Sequence, residues 1–235
     1  MTQTHRLFKQ LTIDGKPVVN IVKDVVHLDL FSTGRATFVV VSDEEPKGIV
    51  ELHCGYRLDS LIPYFLGVIE SKHFSNGQWF LTCRELIGAL SFNIPIAIRY
   101  ATLHDVLKKI ETVGVKFVYP DSDYINSPVA CFYHSGDGIS ALRQLGKIYQ
   151  ISDYIFQQRP DGKIYVGSWH DSGWATSPVD NFTEHVLNVS STTKGSLVAI
   201  PKLRPGVKIN NRFVVETTMT GNKQDITWSR TLSAA

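Results

Sequence analysis

Cysteine and long apolar runs are both scarce in this sequence, and each absence excludes a class of protein. Three cysteines occur in 235 residues, an odd number without a Cys-x-x-Cys pair, so neither a disulfide framework nor a zinc ribbon is indicated. The longest apolar stretches, such as SLIPYFLGVI, have about half of the roughly 20 residues that a membrane-spanning helix needs. The N-terminus has no apolar run after its basic residues and does not read as a secretory signal. We therefore expect synthesis in the cytoplasm and no membrane binding.

An excess of charge of one sign is missing as well. The 24 basic and 22 acidic side chains give a net charge of +2 and are spread along the chain, so nothing indicates specific binding of nucleic acid. With 43% hydrophobic residues, the chain is long enough to bury one large core or two modest ones. The composition therefore predicts a soluble globular protein.

The sequence also lacks the common motifs of nucleotide-binding, hydrolytic and metal-dependent enzymes. It contains no G-x-x-x-x-G-K-[ST], G-x-S-x-G, H-E-x-x-H or G-x-G-x-x-G. His134, Ser135 and Asp137 lie close together, but triad partners usually come from separate loops, and a helix cap at Ser135 or Asp137 is the expected role. His53 and Cys54 are neighbours in a predicted strand and point to opposite faces, which argues against a shared metal ion. We predict no catalytic residue, no cofactor and no metal site.

The loop SWHDSGWATSP carries two tryptophans, Trp169 and Trp174, among glycine and serine residues. Tryptophan is enriched in protein contacts and is costly to leave in water. We therefore predict that this loop is exposed and forms a subunit contact. Two alternatives stay open: a monomeric glycan-binding module could stack a sugar on the loop, or a cell-wall hydrolase could use His134, Asp137 or His170.

Short β-branched runs separated by turn residues predict a mainly β protein with a small α/β segment. Residues 1–94 are predicted to form a first tube-like antiparallel β-barrel. Residues 95–168 contain two amphipathic helical patterns and a hairpin, and we predict an α/β middle domain there. Residues 169–235 return to strands and turns and are predicted to form a second β-barrel region. The predicted architecture is therefore two tube-like antiparallel β-barrels with a mixed domain between them in sequence.

Local signals place several turns and helix ends within these regions. Asn76-Gly77 predicts a two-residue hairpin turn because both positions tolerate positive φ. Thr102 is predicted to cap the first helix, and Pro160-Asp161-Gly162 to turn a hairpin. Pro201 and Pro205 exclude a central strand, which predicts an edge or a crossing loop there.

Degenerate motifs in a fixed order extend over most of the chain, from about Lys47 to Trp228. They are Gly55-Tyr56, Leu58-Asp59-Ser60-Leu61, Phe65-Leu66-Gly67-Val68-Ile69-Glu70, Leu81-Thr82-Cys83-Arg84-Glu85-Leu86, Thr102-Leu103-His104-Asp105-Val106-Leu107, Ala141-Leu142-Arg143-Gln144-Leu145, Phe156 to Gly167 and Leu203-Arg204-Pro205-Gly206. This order resembles the tail hub proteins of contractile-tailed bacteriophages, the late control D and Mu-type baseplate hub group.

The resemblance implies a structural role rather than catalysis. In this family two tube-like barrels per subunit, with three subunits around an axis, form a pseudo-sixfold ring that adapts a sixfold tail tube to a threefold spike. The implied protein is a homotrimer in the virion tail baseplate, made in the host cytoplasm. Its implied partners are the tail tube protein, the central spike protein and other baseplate proteins. We expect the spike to be encoded separately, because little sequence follows Trp228.

The same resemblance gives a role to three residues of the first predicted barrel. Gly55 and Tyr56 are predicted to break or bulge a strand, and Gly67 to permit a bend or a close backbone approach in the barrel wall.

Overall fold

The computed structural model describes residues 6–111, 114–176, 179, 182 and 186–232. The chain is mainly β, with 49% of residues in strands and 17% in helices, which confirms the predicted class. No helix in the described part of the chain is long and apolar enough to cross a membrane.

The described residues form seventeen named strands and three α-helices. The strands are β1 (Phe8–Ile13), β2 (Lys16–Val18), β3 (Asn20–Asp29), β4 (Arg35–Val41), β5 (Ile49–Gly55), β6 (Ile62–Ser75), β7 (Gln78–Glu85), β8 (Ile96–Ala101), β9 (Phe117–Val118), β10 (Val129–His134), β11 (Tyr154–Gln158), β12 (Ile164–Ser168), β13 (Asn188–Val189), β14 (Lys194–Val198), β15 (Lys208–Ile209), β16 (Arg212–Thr220) and β17 (Lys223–Ser229). The helices are α1 (Leu103–Ile110), α2 (Asp123–Asn126) and α3 (Gly138–Ile148).

Twelve of these strands belong to one antiparallel sheet. Its order is β13-β14-β17-β16-β3-β4-β7-β6-β5-β1-β2, and β15 pairs with β16 outside this path. The pairing of β3 with β16 joins the N-terminal strands to the C-terminal ones. This ladder extends from Glu216 opposite Asp29 to Thr220 opposite Val25. The first and last β regions of the sequence are therefore parts of one continuous sheet.

The N-terminal part of this sheet curves strongly. Lys9 in β1 forms an ion pair with Asp24 in β3 and donates to the Gly221 carbonyl at 2.7 Å, which brings β1 close to the middle of the sheet. β2 also leads into β3 after the single residue Val19. No closed barrel is detected among the described strands, so the two tube-like barrels stay a prediction.

The middle part of the chain contains all three helices and two small sheets, β8 with β10 and β9 with β11 and β12. Its largest apolar cluster extends from Ile87 to Val166. Helix α1 buries Leu103, Val106, Leu107 and Ile110, the residues at helical spacing. Thr102 caps it through a reciprocal pair of hydrogen bonds with Asp105, as predicted.

The predicted turns are confirmed where sequence alone determines them. Asn76 and Gly77 have φ of 52° and 75° and connect β6 to β7. Gly162 has φ of 82° in the turn between β11 and β12. Each turn requires positive φ, which asparagine and glycine adopt most readily.

A smaller apolar cluster joins the middle part to both β regions. Its buried members are Leu30, Ile155, Tyr165, Trp169, Phe213 and Leu232. Leu30 directly follows β3, the next three residues lie in β11, in β12 and directly after β12, and the last two lie in the C-terminal β region. The domain limits at residues 94 and 168 stay predictions, and packing crosses both of them.

Candidate functional site at the junction of the β regions

The segment from Ala199 to Val207, which we call the crossing loop, lies between β14 and β15 and is the loop that Pro201 and Pro205 predict. Unlike most loops, it is largely buried. Gln224 of β17 provides hydrogen-bond partners for the backbone of the crossing loop. Its side-chain amide oxygen accepts from Ile200 N at 2.8 Å, and its side-chain amide nitrogen donates to the Leu203 carbonyl at 2.7 Å. Buried polar backbone needs such partners, so these two bonds stabilise the buried path of the loop.

Arg204 extends from the crossing loop into the first β region. Its side chain is 7% exposed, and its guanidinium donates to the Tyr64 carbonyl of β6 and lies 5.5 Å from the Tyr64 ring centre. The same guanidinium is 3.7 Å from Oε1 of Glu85 in β7. A buried cation is tolerated when an anion and hydrogen-bond acceptors surround it. We call Tyr64, Glu85, Arg204 and Gln224 the junction.

Glu85 is the buried anion of this junction, 4% exposed. Its Oε2 accepts from the Gly34 backbone N–H at 2.9 Å. Burial raises the pKa of its carboxyl to about 7, and the Arg204 charge and the Gly34 N–H act in the opposite direction. The carboxyl of Glu85 is therefore partly protonated near neutral pH.

Tyr64 completes the junction from β6. It is 0% exposed, and burial raises the pKa of its hydroxyl to about 12, so that the hydroxyl is neutral at physiological pH. The arrangement is a set of buried polar groups that contact one another, in which Arg204 Nε has no hydrogen-bond partner among the described residues. It contains no activated nucleophile with an adjacent base, and its physical effect is to fix the crossing loop against the first β region.

The structure places Trp169 and Trp174 against the crossing loop, at Gly206. Trp169 is 5% exposed, its indole N–H donates to the Gly206 carbonyl at 2.7 Å, and its ring meets Phe213 edge-on at 5.0 Å. Trp174 is half-buried and packs against Gly206, and its ring centre lies 5.6 Å from the ring centre of Tyr165. The expected exposure of the loop is therefore wrong for Trp169, because intramolecular packing on the crossing loop covers its ring. The predicted subunit contact at the two tryptophans is untested.

Gly55 and Tyr56 lie at the end of β5, whereas Gly67 lies within β6 and is paired with both β5 and β7. β5 ends at Gly55, and the Tyr56 hydroxyl donates to the Ala199 carbonyl of the crossing loop at 2.8 Å. A Cβ at Gly67 would lie 2.2 Å from the Arg84 carbonyl oxygen. The backbones of β6 and β7 therefore approach closely at Gly67, and Tyr56 links the two β regions.

The other candidate residues have structural partners. His134 is 6% exposed, and its Nε2 is 2.8 Å from the Asp137 carbonyl. Asp137 caps α3 by accepting from Ser140 N at 2.8 Å, which confirms the predicted cap. His170 is exposed and lies 2.8 Å from Asp153, on a different element from His134. His134 and Asp137 are thus in contact at the start of α3, whereas the partner of His170 is Asp153.

The sequence interpretation assigned no role to Glu85, Tyr64 or Gln224. One signal was present for Glu85, since Leu81, Cys83 and Glu85 alternate along β7 and share its buried face. An acidic residue in register with buried apolar residues predicts a buried partner. That partner, Arg204, lies more than 100 residues from Glu85 in sequence, so only the fold identifies it.

Comparison with known proteins gives one sequence relative and several structural ones. No known protein-family profile matches the chain. An uncharacterised 58.7 kDa protein from the region 3′ of lys in Haemophilus phage HP1 is 28% identical over 219 residues, which is 92% of this chain. The chain spans 41% of that relative's length.

The solved structures that resemble the chain include tail proteins, among them one from a prophage. The tail protein from Neisseria meningitidis MC58 has a TM-score of 0.67 at 11% identity, with 95% of this chain and 96% of that chain covered. The 43 kDa tail protein of prophage MuSo2 from Shewanella oneidensis has a TM-score of 0.66 at 10% identity, with 95% and 98% covered. An Escherichia coli type VI secretion component, described as similar to the T4 tail proteins gp27 and gp5, has a TM-score of 0.62 at 14% identity, with 93% and 76% covered. The chain has the fold of these tail proteins.

Proposed function

We propose that the chain is a structural protein of a phage tail baseplate, in which three copies form a pseudo-sixfold ring between the tail tube and the central spike. The observation that carries the proposal is the fold shared with a tail protein over 95% of this chain and 96% of that chain. The phage origin of the sequence relative agrees with it. The proposed location is the virion, with the tail tube protein, the spike protein and other baseplate proteins as partners.

The arrangement of the two β regions supports this role. A threefold ring can match a sixfold tube only if each copy presents two comparable units in a fixed relative orientation. In this chain the β3–β16 ladder joins the two regions along five residue pairs. The buried junction adds the Arg204 contacts with Tyr64 and Glu85. A rigid connection of this kind suits a ring whose function depends on contact area.

One edge of the sheet is a candidate for the contact between copies. β13 is at the end of the sheet order and pairs with only two residues of β14. Val189 and Val198 beside this edge are 52% and 63% exposed. A sheet edge with exposed apolar side chains is a surface that natural proteins tend to cover, and an adjacent copy in the ring would do so.

A purely structural role also means that any cleavage of the cell wall belongs to a partner protein. The test is to express the chain with a small affinity tag in the phage that encodes it and to image purified tails by electron microscopy. We expect the tagged chain in a ring at the tube-proximal end of the spike. Complete, infectious particles that lack the chain would contradict the proposal.

A further inference from the structure

We propose that Glu85 makes the connection between the two β regions sensitive to pH, because its carboxyl is buried at the contact between β7 and the crossing loop. This inference does not depend on the proposed function. The charged or titratable groups that face the carboxyl are Arg204 from the crossing loop, Asp29 from β3 and the Tyr64 hydroxyl from β6. Arg84, the neighbour in β7, is directed at Glu70 instead.

The geometry makes the charge state of Glu85 matter to the junction. The carboxylate has one cation, whose nearest nitrogen is 3.7 Å away, and one backbone N–H donor at 2.9 Å. Asp29 places a second negative group nearby. These partners offset only part of the cost of burying an anion, so the closed junction favours the protonated form of Glu85.

The sign of the effect follows from proton linkage. The pKa of Glu85 is raised from its ordinary value of 4.5 to about 7, so the closed junction binds this proton more tightly than an opened one. The contribution of Glu85 to closure is therefore full below pH 4.5 and is lost as the pH rises through about 7. The shift corresponds to a change of about two orders of magnitude in the closing equilibrium.

Two backbone amides, one in the crossing loop and one in β16, report on closure locally. Gly206 N donates to the Val214 carbonyl at 2.8 Å, and Val214 N donates to the Val207 carbonyl at 2.9 Å. Both bonds must break when the crossing loop leaves the sheet. The amide of Tyr149, which donates to Leu145 O at 2.9 Å at the end of α3, lies in the middle part and serves as an internal reference.

The experiment measures amide hydrogen exchange at pH 5 and pH 8, with rates corrected for intrinsic exchange, in the wild-type protein, in Glu85→Gln and in Glu70→Gln. Glu70 is a surface carboxylate on β6 and controls for the loss of one negative charge. We expect protection of Gly206 and Val214 in wild type and in Glu70→Gln to fall at least tenfold from pH 5 to pH 8. In Glu85→Gln it should change less than twofold, and Tyr149 should be constant throughout.

Equal pH dependence of protection in Glu85→Gln and wild type would overturn the inference. An equal loss of protection at the Tyr149 amide would overturn it too, because it would mean global rather than local opening.

A second measurement applies even if Glu85→Gln does not fold. The indole N–H of Trp169, bonded to the Gly206 carbonyl, should titrate by NMR with a midpoint near pH 7 in wild type. It should do so equally in His170→Gln, which removes the nearby imidazole, 5.4 Å from the Trp169 ring. If the indole signal does not shift between pH 5.5 and 8.5, or if its pH dependence disappears in His170→Gln, Glu85 is not the group that controls the connection.

Discussion

At the scale of single residues, the buried polar groups distinguish this chain from an ordinary β protein. Arg204 and Glu85 have side chains that are 7% and 4% exposed, and they belong to regions far apart in sequence. Ion pairs of this kind contribute little beyond what apolar packing would, yet removing one partner leaves the other charge buried and unpaired. Single substitutions in the junction should therefore destabilise the protein about as strongly as large-to-small substitutions in its apolar core.

The first prediction concerns Arg204. Replacement by methionine keeps much of the side-chain volume but removes the guanidinium that faces Glu85 and the Tyr64 carbonyl. We expect a loss of about 3–5 kcal/mol in the free energy of unfolding above pH 7, measured by urea denaturation. Arg57→Met is the control, because the Arg57–Asp59 pair is exposed and its loss should change stability by about 0.5 kcal/mol or less. Equal effects of the two substitutions would contradict the account of the junction.

The second prediction concerns Trp169, whose burial changes the meaning of an alanine substitution. Trp169→Ala removes a ring that is 5% exposed together with its bond to the Gly206 carbonyl. We expect a destabilisation of about 3–5 kcal/mol, seen as a lower urea midpoint. Phe92→Ala, at a 73% exposed side chain, should be close to neutral. A Trp169→Ala protein as stable as wild type would show that the ring does not hold the crossing loop. The predicted subunit contact is better tested at half-buried Trp174.

At the scale of elements, local chemistry was readable from the sequence and long-range pairing was not. The Asn76-Gly77 turn and the Thr102 cap depend on a few adjacent residues, and both form where they were predicted. The β3–β16 ladder joins residues about 190 positions apart, and no local pattern determines that register. The same limit explains why Trp169 was predicted to be exposed: its covering residues, Gly206 and Phe213, are distant in sequence.

The third prediction belongs to the β6–β7 hairpin. The Cβ that Gly67→Ala adds would lie 2.2 Å from the Arg84 carbonyl oxygen. This distance is too short for two non-bonded atoms, so the two strands must separate or shift register. We expect a loss of about 1–3 kcal/mol in the free energy of unfolding. Gly173→Ala is the matched control, because an added Cβ there has no heavy atom within 4 Å and should be tolerated. Thermal unfolding of both variants compares the two sites, and a stable Gly67→Ala protein would mean that the close approach is not required.

At the scale of the whole molecule, the central question is whether copies of the chain assemble. Two β regions in one continuous sheet, held together by a buried junction, suit the proposed ring. The exposed Val189 and Val198 at the β13–β14 edge suit a contact between copies.

The fourth prediction tests that edge. Aspartate at both Val189 and Val198 places two charges on a surface that the ring would bury, so trimers should dissociate while the monomer keeps its fold by circular dichroism. Leu58→Asp, at a 70% exposed side chain outside the edge, should leave assembly unchanged. A double variant that assembles like wild type would place the contact elsewhere.

The most direct test of the proposed ring is the mass of the purified protein in solution, measured by sedimentation equilibrium over a range of concentrations, alone and with the tube and spike proteins. The account predicts a species of three times the 26.3 kDa chain mass that persists when the partners bind. A 26.3 kDa monomer at every concentration, with and without the partners, would contradict it.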